Sequence, residues 1–68
     1  MTELLDLIIK KQRAEKLTDL EFATKLGVSL GHWNNVKNKH RKVSSELREI
    51  IIRLYPDLIS DVLADIAQ

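Results

Sequence analysis

The sequence contains no cysteine, one proline, two glycines and three aromatic residues in 68 positions. Without cysteine, neither a disulfide framework nor a thiolate zinc site can supplement the core, so stability must come from the 44% of residues that are hydrophobic. No apolar run exceeds three residues, whereas a membrane span needs about 20. The N-terminus lacks the basic start of a secretion signal. We therefore expect residues 1–68 to form one cytoplasmic domain without a membrane segment or anchor.

The chain also lacks a strong net charge, at +1, but its charges are unevenly placed. Residues 10–42 hold nine Lys or Arg against three acids, a local charge of +6. From residue 43 onward two basic residues face five acids. A basic middle section favours an anionic partner such as nucleic acid. In so short a chain ordinary variation also produces such a section, so its meaning depends on the motif inside it.

Apolar residues recur with helical period, and no segment alternates with strand period, which predicts an all-α fold. Five helices are predicted. The first covers residues 2–16, the second runs from the Thr18 cap to Gly27, and the third runs from the Ser29 cap to residue 38. A polar, basic link over 39–44 follows, then a fourth helix that ends at Pro56 and a fifth over 57–66. The fifth should bury Leu58, Ile59, Val62, Leu63 and Ile66, with Asp57, Asp61 and Asp65 on its opposite face. The apolar stripe is expected to belong mostly to the core, and the alternative is that Ile59, Leu63 or Ile66 also packs on a second subunit.

The second predicted helix has the clearest boundaries. Thr18 and Glu21 have the spacing of a capping box, and Leu17 with Phe22 has that of a hydrophobic staple. Gly27 supplies a residue that readily adopts the left-handed conformation that closes a helix. Two short helices joined by a tight, glycine-containing turn are the geometric requirement for presenting a helix to the major groove of DNA.

Residues 19–38, DLEFATKLGVSLGHWNNVKN, resemble the helix-turn-helix of the phage repressor and Cro family. Ala23 stands at the small position where the two helices cross, Gly27 stands in the turn, and Trp33 and Val36 occupy the two buried positions of the recognition helix. The resemblance extends over nearly the whole chain. It implies a compact five-helix lambda-repressor-like domain with the helix-turn-helix at helices 2 and 3.

The resemblance also implies a small phage-like or prophage-like transcriptional regulator that binds double-stranded DNA as a homodimer on a pseudo-palindromic operator. In the family, Leu30, Gly31 and Asn35 would contact bases and Asn38 a phosphate. The candidate DNA-binding residues are Ser29, Leu30, Gly31, His32, Asn34, Asn35, Lys37, Asn38, Lys39, Arg41 and Lys42.

Helical phase supports this set, because turning Trp33 and Val36 inward points Gly31, Asn34, Asn35 and Asn38 outward. Asparagine can pair with the N6 and N7 edge of adenine, which is worth about 1 to 3 kcal/mol of discrimination. The basic link after the third helix would lie beside phosphates. The alternatives are a solvated link and an asparagine face that is merely polar.

The sequence departs from the family pattern at three positions. Asp19 replaces a glutamine that commonly helps to hold a phosphate, and its charge would repel one, so we expect Asp19 to serve only the helix dipole. A buried arginine and glutamate pair of some members falls at Gln12 and Lys37. We therefore expect Lys37 to have no internal partner and to be available to DNA.

No cofactor, metal or small-molecule ligand is expected. His32 and His40 are too isolated for a metal site, and no nucleophile lies beside an acid-base pair, so an enzyme is not predicted. A helical protein-interaction module on the same scaffold is the alternative function, and the acidic stripe 57, 61 and 65 favours it. A DNA-binding accessory factor lies between the two.

Overall fold

The computed structural model describes residues 3–67, in which every regular element is helical, and so confirms the predicted all-α class. The elements in order are α1 (Leu4–Ala14), α2 (Asp19–Leu26), α3 (Leu30–Lys37), α4 (Ser45–Leu54), a 3-10 turn (Pro56–Leu58) and α5 (Ile59–Ile66). The predicted start of α1 at Thr2 lies outside the described residues. Its end comes at Ala14 rather than Lys16, because Lys16 adopts a left-handed backbone with φ 57°.

One core joins all five α-helices. Its largest fully buried side chains are Ile8, Phe22, Trp33, Val36, Leu47, Ile51 and Val62. Phe22 of α2 meets Trp33 of α3 edge to face, with ring centroids 4.9 Å apart. Such aromatic pairs add about 0.5–1.5 kcal/mol beyond the area they bury, so this contact fixes α3 firmly on α2.

Local signals in the sequence set both ends of α2. Thr18 Oγ1 accepts from the Glu21 amide at 3.2 Å, and the Glu21 carboxylate accepts from the Thr18 amide at 2.9 Å, which confirms the capping box. At the other end Gly27 has φ +79°, and the Val28 amide donates to the Ala23 carbonyl at 3.0 Å. The turn is three residues long, since the Ser29 hydroxyl already caps α3 by accepting from the His32 amide at 3.0 Å.

The prediction for α5 is partly wrong. Leu58 and Val62 are buried as expected, but Ile59, Leu63 and Ile66 are 46%, 58% and 55% exposed. The helix packs against α1, α4 and the 3-10 turn along a narrow line, and no element of residues 3–67 covers the remaining apolar stripe. Ile9, Ile50 and Leu54 are half-buried and pack against the edge of the core.

Two of the three aspartates of the acidic stripe have basic partners within the chain. Asp57 lies 2.5 Å from the Lys11 ammonium, and Asp65 accepts from the Arg48 guanidinium at 2.8 Å. Asp57 also belongs to the 3-10 turn and not to α5. Within residues 3–67, no helix is long and apolar enough to cross a lipid bilayer.

Candidate nucleic-acid interface

The predicted orientation of α3 is confirmed. Trp33 and Val36 are fully buried, at 0% exposure. On the opposite side of the helix, Gly31, Asn35 and Asn38 are exposed and Asn34 is half-buried. We call these four residues the outward face of α3. It is polar, carries no charge, and offers both hydrogen-bond donors and acceptors.

The first turn of α3 presents backbone rather than side chain. A Cβ added to Gly31 would have no heavy atom within 4 Å, so the space beside it is open. Leu30, next to it, is 39% exposed. A surface that approaches here would meet a bare helix backbone flanked by one apolar side chain.

The link after α3 folds back onto the helix. Lys39 takes a left-handed backbone conformation with φ 64° and reverses the chain. The Asn35 carbonyl then accepts from the amides of His40 and Arg41 at 2.8 and 3.1 Å. The Arg41 guanidinium also lies 3.3 Å from Nδ1 of His32. These contacts hold Arg41 alongside α3.

Three exposed cations follow this end of α3 in the chain: Lys39, Arg41 and Lys42. Arg41 and Lys42 form no ion pair within residues 3–67. The Lys39 ammonium is 3.6 Å from Glu3, but both side chains are about two-thirds exposed, at 68% and 65%. An ion pair in that much water contributes little, so Lys39 remains available to an anion.

Lys37 differs from these three, and the expectation that it has no internal partner is wrong. Its ammonium lies 2.9 and 3.1 Å from the two carboxylate oxygens of Asp19. The reason is tertiary, because α2 and α3 pack so that the first turn of α2 lies beside the last turn of α3. The assignment of Lys37 to DNA contact stays a prediction, now in competition with this ion pair.

Asp19 consequently does more than complement the dipole of α2. Its Oδ1 accepts from Gln12 Nε2 at 2.9 Å and from Trp33 Nε1 at 3.3 Å, besides Lys37. The hydrogen bond from Gln12, and then the one from Lys37, lowers the pKa of the Asp19 carboxyl. Positions 12 and 37, expected to be unconnected, are thus joined through Asp19.

Two other lysines of the basic section are engaged around Tyr55, a buried residue that sequence reasoning missed. The Tyr55 hydroxyl donates to Glu15 at 2.7 Å, and the ammonium groups of Lys11 and Lys25 lie 5.5 and 5.1 Å from the ring centroid. Lys25 also pairs with Glu15, and this hydrogen bond, followed by that of Tyr55, lowers the pKa of Glu15. The spacing 47, 51 and 55 was the available signal for a buried tyrosine.

His32, on the first turn of α3, lines a cleft together with Arg41 and with Ser44 and Glu46 at the start of α4. It is half-buried, and its Nε2 has no hydrogen-bond partner within the described chain. His32 therefore borders the outward face rather than forming part of it.

The basic link also forms one wall of an open groove of about 680 Å³. The other wall is α5, which contributes Asp61 and Asp65. Acidic side chains thus lie behind the link, while the outward face of α3 has no acidic residue of its own.

No family model, curated protein or solved structure matches this chain. The resemblance to the phage repressor and Cro family therefore depends on the residues quoted above.

Proposed function

We propose that this chain binds duplex DNA in a sequence-specific manner, with α2 and α3 as a helix-turn-helix and α3 in the major groove. One observation carries the proposal: the outward face of α3 is rich in asparagine, Arg41 lies alongside it, and Lys42 follows, both cations without an ion pair in residues 3–67. A polar, uncharged face reads base edges, and flanking cations neutralise phosphates.

The residues of this surface suit different parts of the duplex. Asn35, fully on the outside, is placed to pair with an adenine edge. Leu30 suits a thymine methyl, and the open space at Gly31 allows close backbone approach. Arg41 and Lys42 would contact phosphates on the groove edge, which gives affinity without sequence information.

We further propose a small phage-like transcriptional regulator that acts as a homodimer. A single module of this size makes few base contacts, and two-fold dimers read half-sites about 34 Å apart. The apolar stripe of α5, Ile59, Leu63 and Ile66, supports this proposal because it is an uncharged surface of the kind that a second copy could cover.

The first experiment is selection of duplexes from a random pool, followed by salt titration of the selected site. We expect the logarithm of the affinity to fall linearly with the logarithm of salt concentration. Asn35→Ala should relax preference at one base pair, whereas Lys42→Ala should weaken all sequences alike and lower the salt slope by about 1.

Arg53→Ala is the matched control, because Arg53 is an exposed cation on α4 that forms no ion pair within residues 3–67. It should change affinity much less than Lys42→Ala. Absence of salt-sensitive binding to any duplex would reject the proposal, and equal effects of the two variants would reject the assigned surface.

The second candidate function is a helical protein-interaction module or an accessory factor on the same scaffold. The exposed apolar stripe of α5 favours it. The acidic stripe no longer does, because two of its three aspartates have partners within the chain. Leu63→Ser separates the two functions. It should abolish capture of a heterologous partner if this function is correct, whereas affinity for a single DNA half-site, which does not depend on dimerisation, should stay unchanged.

A further inference from the structure

The Asp19 side chain connects three helices next to the outward face of α3. It lies at the first position of α2, and it accepts hydrogen bonds from Gln12 of α1 and from Trp33 and Lys37 of α3. Trp33 and Lys37 are four residues apart, so both bonds fall on one side of α3, a helical turn apart. Two attachment points one turn apart resist rotation of a helix about its axis better than one does.

The connection is polar and adds to the aromatic contact beneath it. The edge-to-face contact of Phe22 and Trp33 holds α3 on α2 in the core. A carboxylate with three fixed donors has a defined geometry. Gln12 adds a further restraint, because its Nε2 also lies 3.2 Å from the Leu17 carbonyl at the end of the α1–α2 connection.

We infer that Asp19 is a positioning residue for DNA reading: it sets the rotation of α3 and keeps Lys37 out of the phosphate-contacting set. This inference depends on the function proposed above. It predicts that loss of the carboxylate lowers the preference for the selected site over other duplexes, while general affinity for DNA stays the same or rises because one negative charge is gone.

The test measures affinity for the selected site and for an unrelated duplex, and compares Asp19→Asn with Glu21→Gln. Both variants remove one negative charge from the first turn of α2, but Glu21 contacts only its own cap and not α3. We expect the ratio of the two affinities to fall about tenfold for Asp19→Asn, equivalent to misplacing one bidentate base contact. The ratio for Glu21→Gln should stay within about twofold.

Lys37→Met tests the same connection from the other side, because it removes the charge and retains an apolar stem. If Lys37 only holds Asp19, this variant should also lower the affinity ratio, and combining it with Asp19→Asn should add little. If Lys37 contacts a phosphate, both affinities should fall and the salt slope should decrease by about 1, which would overturn the inference.

Folding is followed by circular dichroism in each variant, so that a ratio is compared only at temperatures where the protein is folded. The fluorescence of Trp33, the only tryptophan, reports whether its indole environment changes with Asp19. Equal ratios for Asp19→Asn and Glu21→Gln would reject the positioning role alone. A wild-type chain that binds no duplex would reject the proposed function and the inference together.

Discussion

Helices α3 and α5 are both eight residues long, yet they leave opposite kinds of surface exposed. The face of α3 that points away from the core carries Gly31 and three asparagines, whereas that of α5 carries Ile59, Leu63 and Ile66. The asparagine face is well solvated and lies beside unpaired cations, which suits a hydrated polyanion. Removing the apolar face from water would contribute about 25 cal/mol per Å² of buried area. Such a face therefore favours a partner surface that is itself uncharged.

The largest expected effect is the difference in the free energy of unfolding between a substitution on the buried side of α3 and one on the exposed side of α5. Trp33→Ala removes a fully buried ring and should cost about 3–5 kcal/mol in the free energy of unfolding. In the monomer, Leu63→Ala should change it by less than about 0.5 kcal/mol, because Leu63 is 58% exposed there. Urea unfolding followed by circular dichroism measures both, at protein concentrations low enough to keep the chain monomeric. Similar costs would mean that Leu63 is buried within the monomer.

The second effect tests what covers α5. Leu63→Glu places a charge in the middle of the apolar stripe and should raise the dimer dissociation constant at least tenfold, about 1.4 kcal/mol, in sedimentation equilibrium. Leu20→Glu is the control, because Leu20 is 60% exposed but lies on α2, away from the stripe. Dimers that survive Leu63→Glu and dissociate with Leu20→Glu would assign the contact to α2.

The last comparison concerns the two glycines near the start of α3, and the sign of the effect on stability differs between them. Gly27→Ala should destabilise the fold by about 1–2 kcal/mol, because φ is +79° there although space is available. Gly31→Ala should stabilise it by about 0.5–1 kcal/mol, because Gly31 is helical and its neighbourhood is open. The same Gly31→Ala methyl lies on the outward face, so it should weaken binding to the selected duplex. Unchanged DNA affinity would place Gly31 outside the interface.

The parts of the fold that could be predicted depend on residues close together in sequence. The capping box of Thr18 and Glu21 spans three residues, and the inward side of α3 needs only the spacing of Trp33 and Val36. Local chemistry decides such features, so the sequence suffices for them.

The parts that could not be predicted depend on distant partners. Lys37 meets Asp19 across 18 positions, and Tyr55 meets Glu15 across 40. No periodicity encodes these pairs, since they arise only once helices pack. The predicted burial of the α5 stripe was wrong for a different reason. Apolar residues at helical spacing form the same sequence pattern whether they face a core or another molecule.

The folded-back link has a mechanical consequence. The backbone oxygen of Asn35 anchors the amides of His40 and Arg41, while the side chain of the same residue points outward. The Asn35 side chain, which suits a base edge, and Arg41, which suits a phosphate, are therefore held by the same residue and move together. Any tilt of α3 displaces both in step, so a duplex of the wrong shape would lose the two contacts together rather than one at a time.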